Sequence, residues 1–405
     1  MRLVLQWVRS GPLRRRSLGA VAVSAYVVLF VAELPYQALF PVLPSLAREL
    51  SMSDLQTGAL VSATPIGALA AALPLGVLAQ RIGLRSMVLA SAAGLAVTSL
   101  AHTLAPDFWT LLLARGAFGV VHTGVWIAAP ALAGVVAAGT NTPAVAAAIM
   151  PIGAIGAIVS PLGAGIAAEH FGARSPFLFA AAIAALAFAF CLRFLPEAAG
   201  APITAKPLGV LHALADAPVR AAVVLTAIAA LVGNAVSLLI SFQLDDNGVS
   251  PSGIGVVFGV SFVFFLFGSI ASTFSGARGA TVTVGVAATC LLAASMAPMV
   301  LSASVTLLVA FALAKSVFLA FIYTVSYPLA MTGGEARSAA ALAILSLAWG
   351  AGALTGPLLA AATAERIGTG STYALLITLT VSAAAWVVVD MRRRASDVRA
   401  VVEVT

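Results

Sequence analysis

The sequence predicts an all-α polytopic membrane protein, with twelve transmembrane helices in two six-helix bundles related by pseudo-twofold symmetry and both termini cytoplasmic. Three observations carry that expectation. The 405 residues are 61% hydrophobic and 9% charged, with a mean hydropathy of +1.09, whereas a soluble domain carries roughly 25% charged residues. Apolar runs of about 20 residues recur, each long enough to cross ~30 Å of hydrocarbon as a helix, while barrel strands would be about ten residues of alternating polarity. The chain also repeats itself. Shifted by 196 residues, Gly156 falls on Gly352, Pro161 on Pro357, Ala164 on Ala360, Glu169 on Glu365 and Gly172 on Gly368.

The elements follow in order. Arg2, Arg9, Arg14, Arg15 and Arg16 precede an apolar run that contains Glu33 and is too long for a signal-peptide core, so it reads as a retained first span. Spans are expected at 18–42, 56–80, 86–104, 108–131, 142–168 and 175–195, then at 219–243, 252–275, 280–301, 304–330, 337–364 and 371–391. This gives a cytoplasmic basic segment 1–17, a first bundle 18–195, a cytoplasmic linker 196–218 bearing Lys206, His212 and Asp216, a second bundle 219–391 and a cytoplasmic tail 392–405. With the N-terminus inside, sixteen of the 21 Lys and Arg residues fall on inner segments and three (Arg48, Arg174, Arg366) on outer loops. That is the positive-inside bias. It absorbs the formal charge of +7 and Arg392-Arg393-Arg394 without any nucleic-acid partner. Cys191 and Cys290 lie in apolar runs and imply no disulfide framework.

Two further matches support the repeat. Leu113-Ala114-Arg115-x-x-Phe118 returns as Leu313-Ala314-Lys315-x-x-Phe318 at offset 200, and Ser53 and Gly58 return as Ser250 and Gly255 at offset 197. Parallel repeats of six helices are the layout of a two-bundle transporter, whose ligand site is expected between the halves near the midplane. Small residues at four-residue spacing let helices approach closely, and proline bends a helix. Gly156-x-x-x-Ser160-Pro161 and Gly352-x-x-x-Gly356-Pro357 are therefore expected to form gating contacts, the alternative being plain packing with a kink.

Between the second and third spans runs Gly76-Val-Leu-Ala-Gln80-Arg81-Ile-Gly83-Leu-Arg85. Its glycines turn the chain, and its arginines can meet lipid phosphates, carboxylates or helix C-termini. This loop resembles the major facilitator superfamily motif Gly-x-Leu-Ala-Asp-Arg-x-Gly-Arg-Arg, with Gln80 where the family has Asp. Pro41-Val42-x-Pro44, expected to end the first span, Leu111-x-x-x-Arg115-x-x-x-Gly119 and Gly156-x-x-x-Ser160-Pro161-x-x-Ala164-Gly165 resemble motifs of the twelve-helix drug:proton antiporter branch, which includes sugar and nucleoside efflux permeases.

Ionisable groups at membrane depth cost ~2.5–3.5 kcal/mol on insertion scales and are functional candidates by default. Glu33, Arg115 and Lys315 qualify. Glu33, Arg115 and His122, which is two helical turns beyond Arg115 on the same face, are candidates for proton coupling. A static Glu33–Arg115 ion pair is the alternative. Tyr36, Gln37, Arg115, His122, Trp126, Asn234, Lys315 and Tyr323 are candidate ligand contacts, with Asn234 near the place where Glu33 maps in the second half; joining helices is the other use for such groups. In the resembled family an acid on the first helix often serves proton coupling, and the fourth-helix arginine is implicated too.

No metal-ligand spacing, Walker phosphate loop or Ser/His/Asp grouping is evident, so neither an enzyme nor a cofactor is expected. The resemblance implies a proton-coupled exporter of a small organic solute of drug, sugar or nucleoside type, working by alternating access as a monomer in the cell membrane. Symport or uniport for uptake is the first alternative, and a non-transporting scaffold or receptor is the alternative of another class.

Overall fold

The computed structural model describes residues 15–140, 142, 144–196, 214, 216–276, 282–330 and 335–404. The basic residues Arg2, Arg9 and Arg14 and most of the linker, including Lys206 and His212, lie outside the described residues. Every regular element among the described residues is helical, and eleven helices are long and apolar enough to cross a membrane. They are α1 (Arg15–Gln37), α2 (Leu39–Glu49), α3 (Asp54–Leu104), α4 (Phe108–Thr140), α5 (Ile149–Phe171), α6 (Ser175–Phe194), α7 (Ala217–Asp246), α8 (Pro251–Gly276), α9 (Val282–Met296), α10 (Val305–Ala330), α11 (Glu335–Ile367) and α12 (Thr369–Val404). α1 and α2 together form one span.

Several boundaries differ from expectation. The first span continues through Pro41 and Pro44 to Glu49, with a break at Ala38. Pro41 lacks the N–H that would bond back to Gln37, so the helix breaks just after Gln37, and Pro41 then falls in the first turn of α2, where no donor is needed. The second and third spans form one 51-residue helix that departs from helical geometry at Gly83 (φ 79°, ψ 162°). This φ is accessible essentially to glycine alone, so the loop motif compresses into one residue's turn. A single turn at Ala144–Ala147 precedes α5, which begins at Ile149 rather than 142. A 3₁₀ turn, Ala297–Val300, ends the ninth span. α12 runs on to Val404, through the expected tail.

The chain divides into two compact units. The first holds Met1–Met52, Ala63–Lys206 and Val249–Gly259; the second holds Ser53–Ser62, Pro207–Gly248 and Val260–Thr405. In the first unit α1 is central and packs against α4, α5 and α6. Its core combines small, branched and aromatic residues: Ala25, Val28, Leu29 and Ala32 of α1, Phe118, Val125, Ala129 and Leu132 of α4, Ala184 and Cys191 of α6. In the second unit α7 occupies the corresponding place, packed on α10, α11 and α12.

Candidate functional site

The site begins with the break in α1. Because the helix breaks at Ala38, the carbonyls of Pro35 and Tyr36 take donors from outside the helix, whereas Leu34 O keeps the Ala38 N–H at 3.1 Å and has room for a second donor. Arg115 of α4 supplies two: Nη1 donates to Pro35 O at 2.8 Å and Nη2 to Tyr36 O at 3.0 Å. Ser160 of α5 donates its hydroxyl to Leu34 O at 2.5 Å. The Arg115 guanidinium is 2% exposed and lies 5.2 Å from the Phe118 ring centre and 5.8 Å from that of Tyr36. Three hydrogen bonds from two side chains, one on each of two neighbouring helices, thus hold the bend that the proline imposes.

One turn before the break, Glu33 is buried at 6% exposure. Its Oε1 accepts the indole N–H of Trp126 at 3.2 Å and lies 3.4 Å from His122 Nε2. His122 and Trp126 are one turn apart on α4, so both face α1 together. The imidazole stacks on Tyr36, with centres 5.1 Å apart and planes 20° apart, and meets Phe118 at 5.5 Å. Gly156 makes room for the acid: a Cβ there would stand 2.9 Å from both Glu33 Cβ and Phe30 O. The alternative of a static Glu33–Arg115 ion pair is not what forms. Arg115 is committed to backbone carbonyls, and the acid's partners are His122 and Trp126. Chemically, a carboxyl and an imidazole in contact can hold one proton in either of two places.

The other predicted ligand residues divide between the units. Gln37 is buried at the end of α1. In the second unit Lys315 of α10 is 5% exposed and donates to Ser237 Oγ of α7 at 3.0 Å. Asn234 donates its amide to Ala230 O of its own helix at 2.9 Å. The Tyr323 ring lies 6.4 Å from that of Phe265. Gln243, another polar group of α7, accepts the Tyr373 hydroxyl at 2.7 Å and so ties α7 to α12.

The predicted gating residues serve several distinct contacts. Gly352 and Gly356 bring α11 against the α7 backbone at Ala227 and Leu231, just as Gly156 brings α5 against α1. Pro357 O faces Gly58 within the second unit, and Pro161 O faces Gly255 within the first. These two contacts are repeat partners. In the loop motif, Arg85 donates Nε to Leu195 O at 3.1 Å and caps the C-terminal end of α6, a favourable place for a cation. Arg81 is exposed, and Gly76 and Gln80 are half-buried.

Two cationic clamps escaped the sequence reading. Arg174 pairs with Glu49 at 2.8 Å and caps the end of α3 at Thr103 O and Ala105 O. Arg220 grips Asp390 in a fork, at 3.1 and 3.0 Å. Both lie where charge counting registers only topology, and their partners are 125 and 170 residues away in the chain. Among the described residues no group of three or more His, Cys, Asp or Glu could hold a metal ion.

The sequence profile of the Major Facilitator Superfamily matches residues 25–244. The chain is 29% identical over 178 residues to the multidrug resistance protein MdtG of Proteus mirabilis, covering 42% of this chain and 43% of that protein. It is 25% identical over 179 residues to MdtG of Escherichia fergusonii, 43% of each. The matched region is therefore under half the length of these curated relatives. Among solved structures, a bacterial homologue of the human lysosomal transporter Spinster, inward-facing and occupied, gives a TM-score of 0.75 at 16% identity, over 95% of this chain and 98% of that one. A mutant of the nucleoside transporter NupG gives 0.74 at 13% identity, over 91% and 99%. At such identities the structures speak for the fold alone. With a profile match over more than half of the 405 residues, the chain belongs to the major facilitator superfamily, a family of transporters rather than enzymes.

Proposed function

We propose that this transporter exports a small organic solute in exchange for protons, by alternating access, with Glu33 and His122 as the pair that holds the proton. The observation that carries the reading is the buried carboxyl of Glu33 in contact with an imidazole and an indole N–H. An acid at this depth is expensive to keep unless it does something, and Arg115 does not neutralise it by pairing. The likeness to proteins named as multidrug resistance proteins supports efflux as the direction. Deprotonation on one side of the membrane and protonation on the other would then drive the solute outward. The break at Gly83 divides Asp54–Leu104 into two crossings, so the eleven apolar helices make twelve spans. With the arginine bias inward, both termini are cytoplasmic in a multi-pass protein of the cell membrane, acting as a monomer.

Everted membrane vesicles test this. Respiration acidifies their interior, and a panel of ethidium, uridine, arabinose and indole-3-acetate is offered outside. At least one probe is expected to accumulate, to leave when a protonophore is added, and to fail to accumulate with Glu33→Gln. Accumulation that survives both the protonophore and Glu33→Gln would rule the reading out.

A further inference from the structure

The second unit holds a buried cation that proton exchange at Glu33 leaves unused. Lys315 is the eleventh of 26 residues in α10, in mid-span, and is 5% exposed. Its ammonium carries three N–H donors. One of them meets Ser237 Oγ at 3.0 Å. The Ser237 hydroxyl in turn donates to Gly233 O at 2.7 Å, so its own hydrogen points away and its lone pair faces the lysine. No carboxylate among the described residues pairs with Lys315. The acids of α7, Asp245 and Asp246, begin two helical turns past Ser237, ~12 Å along the axis. A neutral hydroxyl does little to offset a buried charge, and a buried charge without a counter-charge is costly to keep.

The repeat sharpens the contrast. Arg115 and Lys315 correspond at offset 200, and each crosses to the central helix of its own unit, at Pro35 and Tyr36 in one case and at Ser237 in the other. Arg115 satisfies two backbone carbonyls and lies against two rings. Lys315 replaces that clamp with one hydrogen bond and free donors.

We propose that Lys315 is the counter-charge for an anionic group on the transported solute, so that the substrate class is organic acids, carboxylates foremost. The inference rests on the transport reading above, and deepens it by naming what the solute must carry. The solute's anionic oxygens take the two remaining N–H donors, and Ser237 holds the ammonium toward them.

Two matched pairs of probes test it in detergent-purified protein: indole-3-acetate against indole-3-acetamide, and glucuronate against glucuronamide. Lys206 and Lys315 are the chain's two lysines, so an amine-reactive reagent followed by peptide mass spectrometry reads Lys315 directly in the unmutated protein. An acid is expected to slow its labelling while the amide does not. By thermal stabilisation, the acid of at least one pair is expected to bind about ten- to a hundredfold more tightly than its amide, the worth of a hydrogen bond to a charged group. The preference is expected to vanish in Lys315→Gln and to survive in Lys315→Arg and Ser237→Ala. Equal protection by acid and amide in the unmutated protein overturns the proposal, as does absence of protection by either acid or an acid preference that persists in Lys315→Gln. Uptake into everted vesicles that still depends on Glu33 would in those cases leave proton exchange standing while the anionic substrate class falls.

Discussion

A methyl group at position 156 would stand 2.9 Å from Glu33 Cβ and from Phe30 O, closer than real Cβ contacts come. Gly156→Ala is therefore expected to push α5 off α1, costing about 1–3 kcal/mol of stability, read as a lower thermal midpoint in detergent. At Arg115, lysine would keep the charge and lose the fork. One of the carbonyls of Pro35 and Tyr36 would be left buried and unpaired, so Arg115→Lys is expected to cost about 1–3 kcal/mol, again measured by thermal unfolding. Equal stability to the unmutated protein would deny Arg115 its role at the bend. Glu33, Arg115 and His122 were legible as a candidate set because charges in apolar runs stand out. Their partners were not. Depth along a helix follows from counting residues, but whether Arg115 meets a carboxylate or a carbonyl depends on where the α1 backbone breaks.

At the scale of the element, backbone geometry explains why certain glycines recur. Gly172 and Gly368, matched at offset 196, both end their helices at positive φ, 92° and 84°. Gly83 has a φ of 79° inside α3. Gly83→Ala is expected to cost about 1–3 kcal/mol, visible as a lower thermal midpoint, whereas Gly76→Ala, with open space around its Cβ position, is expected to be near neutral. The start of α4 adds a pH-dependent contribution. Asp107 Oδ1 accepts the Thr110 backbone N–H at 2.9 Å, and that bond holds its carboxyl below the usual carboxylate range. Because the folded form binds its proton less readily than the unfolded chain, this contribution is full at neutral pH and fades below about pH 4. Asp107→Ala is expected to flatten that part of the acid-stability profile, followed by thermal midpoint against pH. The helix content was readable from apolar runs, whereas the first span's end at Glu49 was not, since Pro41-x-x-Pro44 reads as a stop. A proline in a first turn starts a helix as readily as it ends one.

For the molecule as a whole, the internal repeat is the most informative pattern in the chain, and it extends to individual contacts. Gly58 faces Pro357 and Ala361 in the second unit; Gly255 faces Pro161 and Gly165 in the first. Gly58→Leu and Gly255→Leu are thus expected to impair transport into everted vesicles to a similar degree, and a large effect at only one would break the equivalence. The same repeat makes the two units chemically unlike where it matters: a carboxyl with imidazole and indole in the first, an unpaired ammonium in the second. That difference was visible as residue types, but the commitment of Arg115 and Asn234 to backbone carbonyls was not. The central claim is that the exchanged proton is held by the Glu33–His122 pair and that the Glu33 carboxyl is indispensable to it. Its most direct test is the pH change when a probe that accumulates in vesicles is added to purified protein in weakly buffered detergent. The unmutated protein is predicted to release protons on binding and Glu33→Gln to release none. Equal release from both proteins would contradict the account.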